Sequence, residues 1–228
     1  MNRCAMQSSR TKRKCWPNVG DEHVQSQWLT WARELQAIAQ TGLTFTEGEY
    51  DLARYRRLME IAAEIVARSA NVPVEVVVEG FLEQPGYATP KVDVRGAVIQ
   101  DGKILLVQER VDECWCMPGG WADVGELPSA MVAREVLEES GLRVRPRKLI
   151  GLFDVNRNSV PLSFYHAYKA IFLCDLLGGE LRGSYETLDA RFFSFDEIPP
   201  LSGTRTLPRH LTEILAHLAD PSRPAAFD

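Results

Sequence analysis

The 228-residue sequence lacks several features that would narrow its class at once. It has five Cys, an odd number with no paired framework and no secretory signal ahead of them, so no disulfide scaffold is expected and a reducing, cytoplasmic setting is. There is no apolar run near the roughly 18 residues a membrane helix needs; "AIFLCDLLGG" is broken by Asp175. It also lacks a basic excess: the net charge of −5 argues against a general nucleic-acid or anionic-membrane binder. Internal repeats and low-complexity tracts are absent too.

What is present is an ordinary globular composition, 45% hydrophobic and 25% charged, enough for a sizeable core. Charge is uneven. Residues 1–20 hold Arg3, Arg10, Lys12, Arg13 and Lys14 without an acid, leaving the remainder near −10. Residues 1–25 read as a disordered basic extension, with a transit peptide the alternative. Residues 26–82 read as a helical domain. Ser26 is a candidate cap for a helix that Gly42 would stop. "TEGE" (Thr46–Glu49) reads as a capping box before a longer helix striped with Leu52, Tyr55, Met59, Ala62 and Val66. A third, Val-rich element after Asn71 and Pro73 fits helix or strand equally. Such an apolar stripe, without clustered acids or His, points to core or dimer interface.

"EQPGYATP" (Glu83–Pro90) reads as a linker into a strand-rich domain over residues 91–220, with 221–228 a tail. "VDVRGAVI" and "KILLVQER" flank Asp101-Gly102, a two-residue hairpin signal. Further strands are expected at Leu149–Asp154, Ser163–Cys174 and Ala190–Phe195, and helices at Leu127–Ser140 and Thr206–Leu218. Strands with a few interspersed helices indicate an α+β fold.

The stretch "GGWADVGELPSAMVAREVLEESGL" (Gly119–Leu142) is the most informative. On a helix, Ala130, Ala133, Val136 and Leu137 fall on one side and Glu135, Glu138 and Glu139 on the other. Glu135 repels Glu138 and Glu139 at i,i+3 and i,i+4, and Arg134 offsets only part of this. Gly141 suits a left-handed cap. Gly119 and Gly120 allow a close backbone approach. A solvated acidic face is the bland explanation. A hard divalent cation, Mg²⁺ or Mn²⁺, resolves the repulsion through oxygen ligands completed by substrate phosphates.

The spacing decides between them. Gly120, Glu126, Arg134-Glu135-Val136-x-Glu138-Glu139-x-Gly141-Leu142 resembles the Nudix box, GX5EX7REUXEEXGU, at every fixed position. With residue frequencies near one in fifteen, such a match arises by chance in on the order of one chain in ten million. The resemblance implies a Nudix α/β/α sandwich with a mixed sheet, and hydrolysis of a nucleoside diphosphate linked to a moiety X. It further implies Glu135, Glu138, Glu139 and the Gly119 carbonyl as metal ligands, with more than one ion per site, and Arg134 and Glu126 as their supports. "KVDVRGAV", "MPGGWADVGE" and "ET…FFSFDEIPPLS" are similar to the subfamily with a helical N-terminal domain, which acts on ADP-ribose or CDP-choline. The apolar stripe of residues 26–82 suggests a homodimer, and the resemblance implies a small-molecule substrate.

For the general base, Glu186, Glu139 and Glu135 all remain open. Arg157 could meet a phosphate or the nucleobase, or be an exposed hairpin tip. His166 is expected to be a sheet residue, and Cys114-Trp115-Cys116 a strand rather than a zinc or redox pair. A nucleotide-sensing regulator without turnover is the alternative of another class; the intact box argues against it. Action on RNA is a third, disfavoured by the acidic body.

Overall fold

The computed structural model describes residues 27–70, 73–82, 85–157 and 166–228. Three helices come first: α1 (Gln27–Phe45), α2 (Glu49–Ala70) and α3 (Val74–Leu82). They bury Ala32, Ala39, Met59, Ala62, Ala63, Val66 and Phe81 among themselves, so this part has its own small core. Two expected boundaries move. Helix α1 passes through Gly42, because that glycine lies under the Tyr55 ring: a Cβ there would come 2.4 Å from Tyr55 Cε1. With α1 continuing to Phe45, Thr46 donates its N–H to Gly42 and is no cap; α2 starts from Gly48 instead. The Val-rich third element is helical. Ser26 lies outside the described residues.

The second part is a seven-stranded mixed sheet: β1 (Lys91–Gln100), β2 (Lys103–Glu109), β3 (Trp115–Cys116), β4 (Leu142–Asp154), β5 (Ala167–Gly179), β6 (Thr187–Ser194) and β7 (Ala226–Phe227). The order is β3-β2-β1-β5-β4-β7, with β6 on β2. Strands β1 and β5 run parallel, as do β4 and β7; the other pairs are antiparallel. Asp101 and Gly102 form the β1–β2 turn, both at positive φ, as a type I′ hairpin demands. The final residues, expected to be a tail, instead close the sheet edge as β7.

Both faces of the sheet are covered, and the strands show it. In β1, Val94 and Val98 face one core while Ala97 faces the other; in β2, Leu105 and Val107 alternate with Ile104 and Leu106. That accounts for the unbroken "ILLV" run. Helix α4 (Pro128–Ser140) covers the first face through Met131, Val132 and Val136, and α5 (Pro208–Ala219) covers the second through Leu211 and Ile214.

One register detail positions the site. Strand β1 pairs with β2 only at Ile99 and Gln100, so its first half keeps an open edge. The loop at residues 118–122 fills that edge: Val94 N–H donates to Gly120 O, Gly96 N–H to Pro118 O and Ala122 N–H to Val92 O, at 2.8–2.9 Å.

Candidate active site

The Gly loop exists because Gly119 is a glycine. It sits at φ +143°, and a Cβ there would lie 2.0 Å from the Val94 carbonyl oxygen. The close approach it permits is to β1, and this fixes the loop rather than leaving it open. Helix α4 follows, led by Pro128 at its first turn, where the missing N–H costs nothing. It ends at Gly141, at φ +78°, whose N–H donates to Leu137 O over 2.9 Å.

The face of α4 differs from the expectation. Met131, Val132 and Val136 are buried, while Ala130 and Leu137 are exposed. The three carboxylates therefore do not share one solvated face. Glu138 stays in solvent, Glu135 is largely covered, and Glu139 is buried at 5% exposure. The Gly loop covers them. Gly119 N–H donates to Glu139 Oε2 over 2.9 Å, and a Cβ on Gly120 would come 3.1 Å from Glu135 Oε2.

Arg134 organises the outer carboxylates. Its Nη1 lies 3.0 Å from Glu135 and 2.9 Å from Glu138; its Nη2 lies 2.9 Å from Glu126 and 3.0 Å from Asp123. One guanidinium thus reaches four acids, among them Asp123, which was not among the expected site residues. Its hydrogen bond holds Glu126 below the usual carboxylate range. Burial acts the other way further in. It raises Glu135, and pushes Glu139 up to about 7 against the pull of Arg95 and the Gly119 N–H.

Beneath the loop lies a group of buried charges that sequence reasoning missed. Arg95 donates through Nε to Asp93 at 2.8 Å and through Nη1 to Met117 O at 3.1 Å. Lys169, fully buried, lies 3.3 Å from Asp93 and donates to the carbonyls of Thr204 and Arg205. Burial lowers Lys169 to about 8, opposed by Asp93. The available signal was charge inside two otherwise apolar strands, "VDVRGAV" and "YKAIFLC", which solvent-facing residues of a covered sheet would not give.

Glu186 is exposed on the loop before β6. Its neighbour Thr187 donates its hydroxyl to Glu139 O over 2.8 Å, tying that loop to the end of α4. Arg157 stands at the far end of β4, exposed and 3.4 Å from the terminal Asp228, on none of the elements that carry the box. His166 precedes β5, 3.4 Å from Asp154. Trp115–Cys116 is strand β3, with Cys116 buried as a free thiol.

Among the described residues no three His, Cys, Asp or Glu groups converge at metal-holding separation; Arg134 instead ties Glu135 to Glu138. The donor set nonetheless suits a hard cation: it is all carboxylate oxygen, and the burial that disfavours charge on Glu135 and Glu139 would be relieved by positive charge beside them.

Comparison with known proteins agrees with this geometry. Residues 26–81 match a family described as a UDP-X-like, N-terminal oligomerisation domain, and residues 90–213 match the NUDIX domain. The "Putative ADP-ribose pyrophosphatase YjhB" of Bacillus subtilis is 40% identical over 205 residues, covering 90% of this chain and 99% of that protein. A crystal structure of a UDP-X diphosphatase is similar at 31% identity and TM-score 0.58, covering 90% of this chain and all of the other. An ADP-ribose pyrophosphatase from Streptococcus suis is 38% identical with TM-score 0.56, covering 61% of this chain and all of that one. The box on α4, the loop along β1 and these matches make the chain a member of the Nudix family, a pyrophosphatase hydrolase with a helical domain ahead of its Nudix domain.

Proposed function

We propose that the protein is a Mg²⁺-dependent pyrophosphohydrolase that cleaves ADP-ribose to AMP and ribose 5-phosphate. The observation that carries the chemistry is the enclosure of Glu135 and Glu139 by the Gly loop beside exposed Glu138. That arrangement covers two carboxylates and leaves a third beside them in solvent. Support for ADP-ribose comes from the relatives of that name, one of which spans nearly the whole chain. CDP-choline is the second substrate to test.

Glu135, Glu138, Glu139 and the Gly119 carbonyl would hold the divalent ions, with Mn²⁺ able to replace Mg²⁺. When bound, such ions neutralise charge on a diphosphate and lower the pKa of water. Arg134 keeps Glu135 and Glu138 aimed, using Glu126 and Asp123 as its own anchors. Arg95 and Asp93 hold the Met117 carbonyl, and with it the start of the loop. Glu186, Glu139 or Glu135 takes the proton from the attacking water. The helical domain joins two copies: Trp31, Ile38 and Phe45 recur every seven residues along α1 and are exposed. The test is turnover on ADP-ribose, CDP-choline, UDP-sugars and nucleoside triphosphates, each with Mg²⁺ and with Mn²⁺. ADP-ribose should give the highest kcat/KM. Turnover of triphosphates alone would reject the reading.

A further inference from the structure

A cavity of about 570 Å³ opens between α1 and the end of the sheet where β1 begins. That size suits a small-molecule group. Its walls come from both parts of the chain. Arg33 and Glu34 stand on α1, Tyr87 before β1, Lys91 at its start, and Asp154, Asn156 and His166 at the ends of β4 and β5. Arg33 faces Asp154 across the divide: burial lowers its pKa and the Asp154 charge raises it. Asn156 is 1% exposed yet lines the space, its N–H donating to Asp154 Oδ1 at 2.7 Å.

The lining chemistry selects the occupant. Two cations, Arg33 and Lys91, face two anions, Glu34 and Asp154, so the wall has no surplus charge for a phosphate. Carboxylate, amide, guanidinium and imidazole groups side by side suit a ligand with several hydroxyls, each both donor and acceptor. Of the rings on its walls, Phe81 is packed into the helical core, His166 stands edge-on to Tyr168, and Tyr87 is mostly exposed. Position agrees. Lys91 is three residues from Val94, which bonds Gly120 of the box loop, a span of about 10 Å along a strand. A diphosphate seated at the box can place the group it carries in this cavity.

We propose that this cavity is the subsite for the terminal sugar of the substrate, with Arg33 and Asn156 as specificity-determining residues. The helical domain then reads the substrate as well as joining subunits. The inference rests on the diphosphate-sugar reading above, and its test is separable from that reading because it needs no turnover.

Binding is measured by calorimetry with Ca²⁺ in place of Mg²⁺, an oxygen-seeking ion of different geometry, comparing ADP-ribose with the β-methyl ester of ADP, which keeps the diphosphate charge and lacks the sugar. The native chain should bind ADP-ribose about tenfold tighter or more, as expected for one or two added hydrogen bonds. Arg33→Ala and Asn156→Ala should abolish that preference and leave methyl-ADP affinity unchanged. Glu34→Gln, an exposed substitution, should reduce it even if the others perturb folding, which circular dichroism checks. Equal affinity of the native chain for both ligands, including no binding of either, overturns the proposal. So does a preference that survives all three substitutions. A preference lost in the variants, in a protein that never hydrolyses ADP-ribose, keeps the subsite and rejects the proposed reaction.

Discussion

Glu138 and Glu139 are adjacent in sequence with opposite surroundings, and they should respond differently to change. Glu138 is exposed and shares Arg134 with three other acids. Glu138→Gln should therefore keep stability within about 1 kcal/mol of the native chain, since an exposed ion pair contributes little. Its turnover at saturating Mg²⁺ should fall at least about a hundredfold. Steady-state kinetics beside a denaturant titration checks both; near-native turnover would remove Glu138 from the metal site. His210 controls a second, independent effect. It is fully buried, and its Nδ1 accepts the Leu207 N–H over 3.1 Å at the start of α5. Burial holds its pKa well below the ordinary value, and burial lowers His217 as well. A depressed folded pKa means the stabilisation is complete above about pH 6.5, the unfolded value, and is lost as pH falls. The His210 contribution should thus decline from pH 6.5 to 5, against Glu139, whose raised pKa of about 7 adds stability as pH falls. His210→Leu should cost about 1 kcal/mol at pH 8 through the lost cap, and this deficit should shrink between pH 6.5 and 5. A deficit that stays constant across that window would contradict the neutral assignment.

At the scale of elements, the Gly loop is the part least tolerant of change. Gly119→Ala adds a Cβ 2.0 Å from the Val94 oxygen at a φ that side chains avoid, whereas Gly120→Ala meets only the Glu135 carboxylate at 3.1 Å. The first should cost more than about 2 kcal/mol in chemical denaturation, and the second clearly less. The reverse order would mean the loop does not lie along β1. Much of this architecture was legible beforehand. Asp101-Gly102 gave the hairpin, Gly141 the end of α4, and the box its loop and helix. The failures share a cause, which is that tertiary contact overrode local signals. Gly42 is small for the Tyr55 ring and does not stop a helix. "TEGE" loses its capping role because α1 runs on to Phe45. The buried side of α4 follows the Gly loop as well as the apolar residues, so Glu139 is enclosed where periodicity alone would leave it in water. The Asp93–Arg95–Lys169 group joins residues far apart in the chain and becomes visible only when β1 and β5 pair.

For the whole molecule, the two parts have separate cores. The stripe of Trp31, Ile38 and Phe45 on α1 lies away from the core of Ala32, Ala39 and Met59, and it suits a second copy of the same helix. Ile38→Glu with Phe45→Glu should convert a dimer to a monomer in sedimentation velocity while leaving the circular dichroism spectrum intact. An unchanged dimer would put the interface elsewhere. The sequence pointed instead to the stripe on α2, whose Met59, Ala62 and Val66 are core; the α1 stripe was not singled out, and the cavity was not legible because its walls come from residues as distant as Arg33 and His166. No helix among the described residues is long and apolar enough to cross a membrane. The central claim is chemical: water attacks one phosphorus of a diphosphate carried by the box. Hydrolysis of ADP-ribose with Mg²⁺ in ¹⁸O-labelled water, with mass analysis of both products, tests it most directly. The expected result is AMP and ribose 5-phosphate, with one ¹⁸O on one product and none on the other. Inorganic phosphate as the first product, or label on neither phosphate, would contradict it.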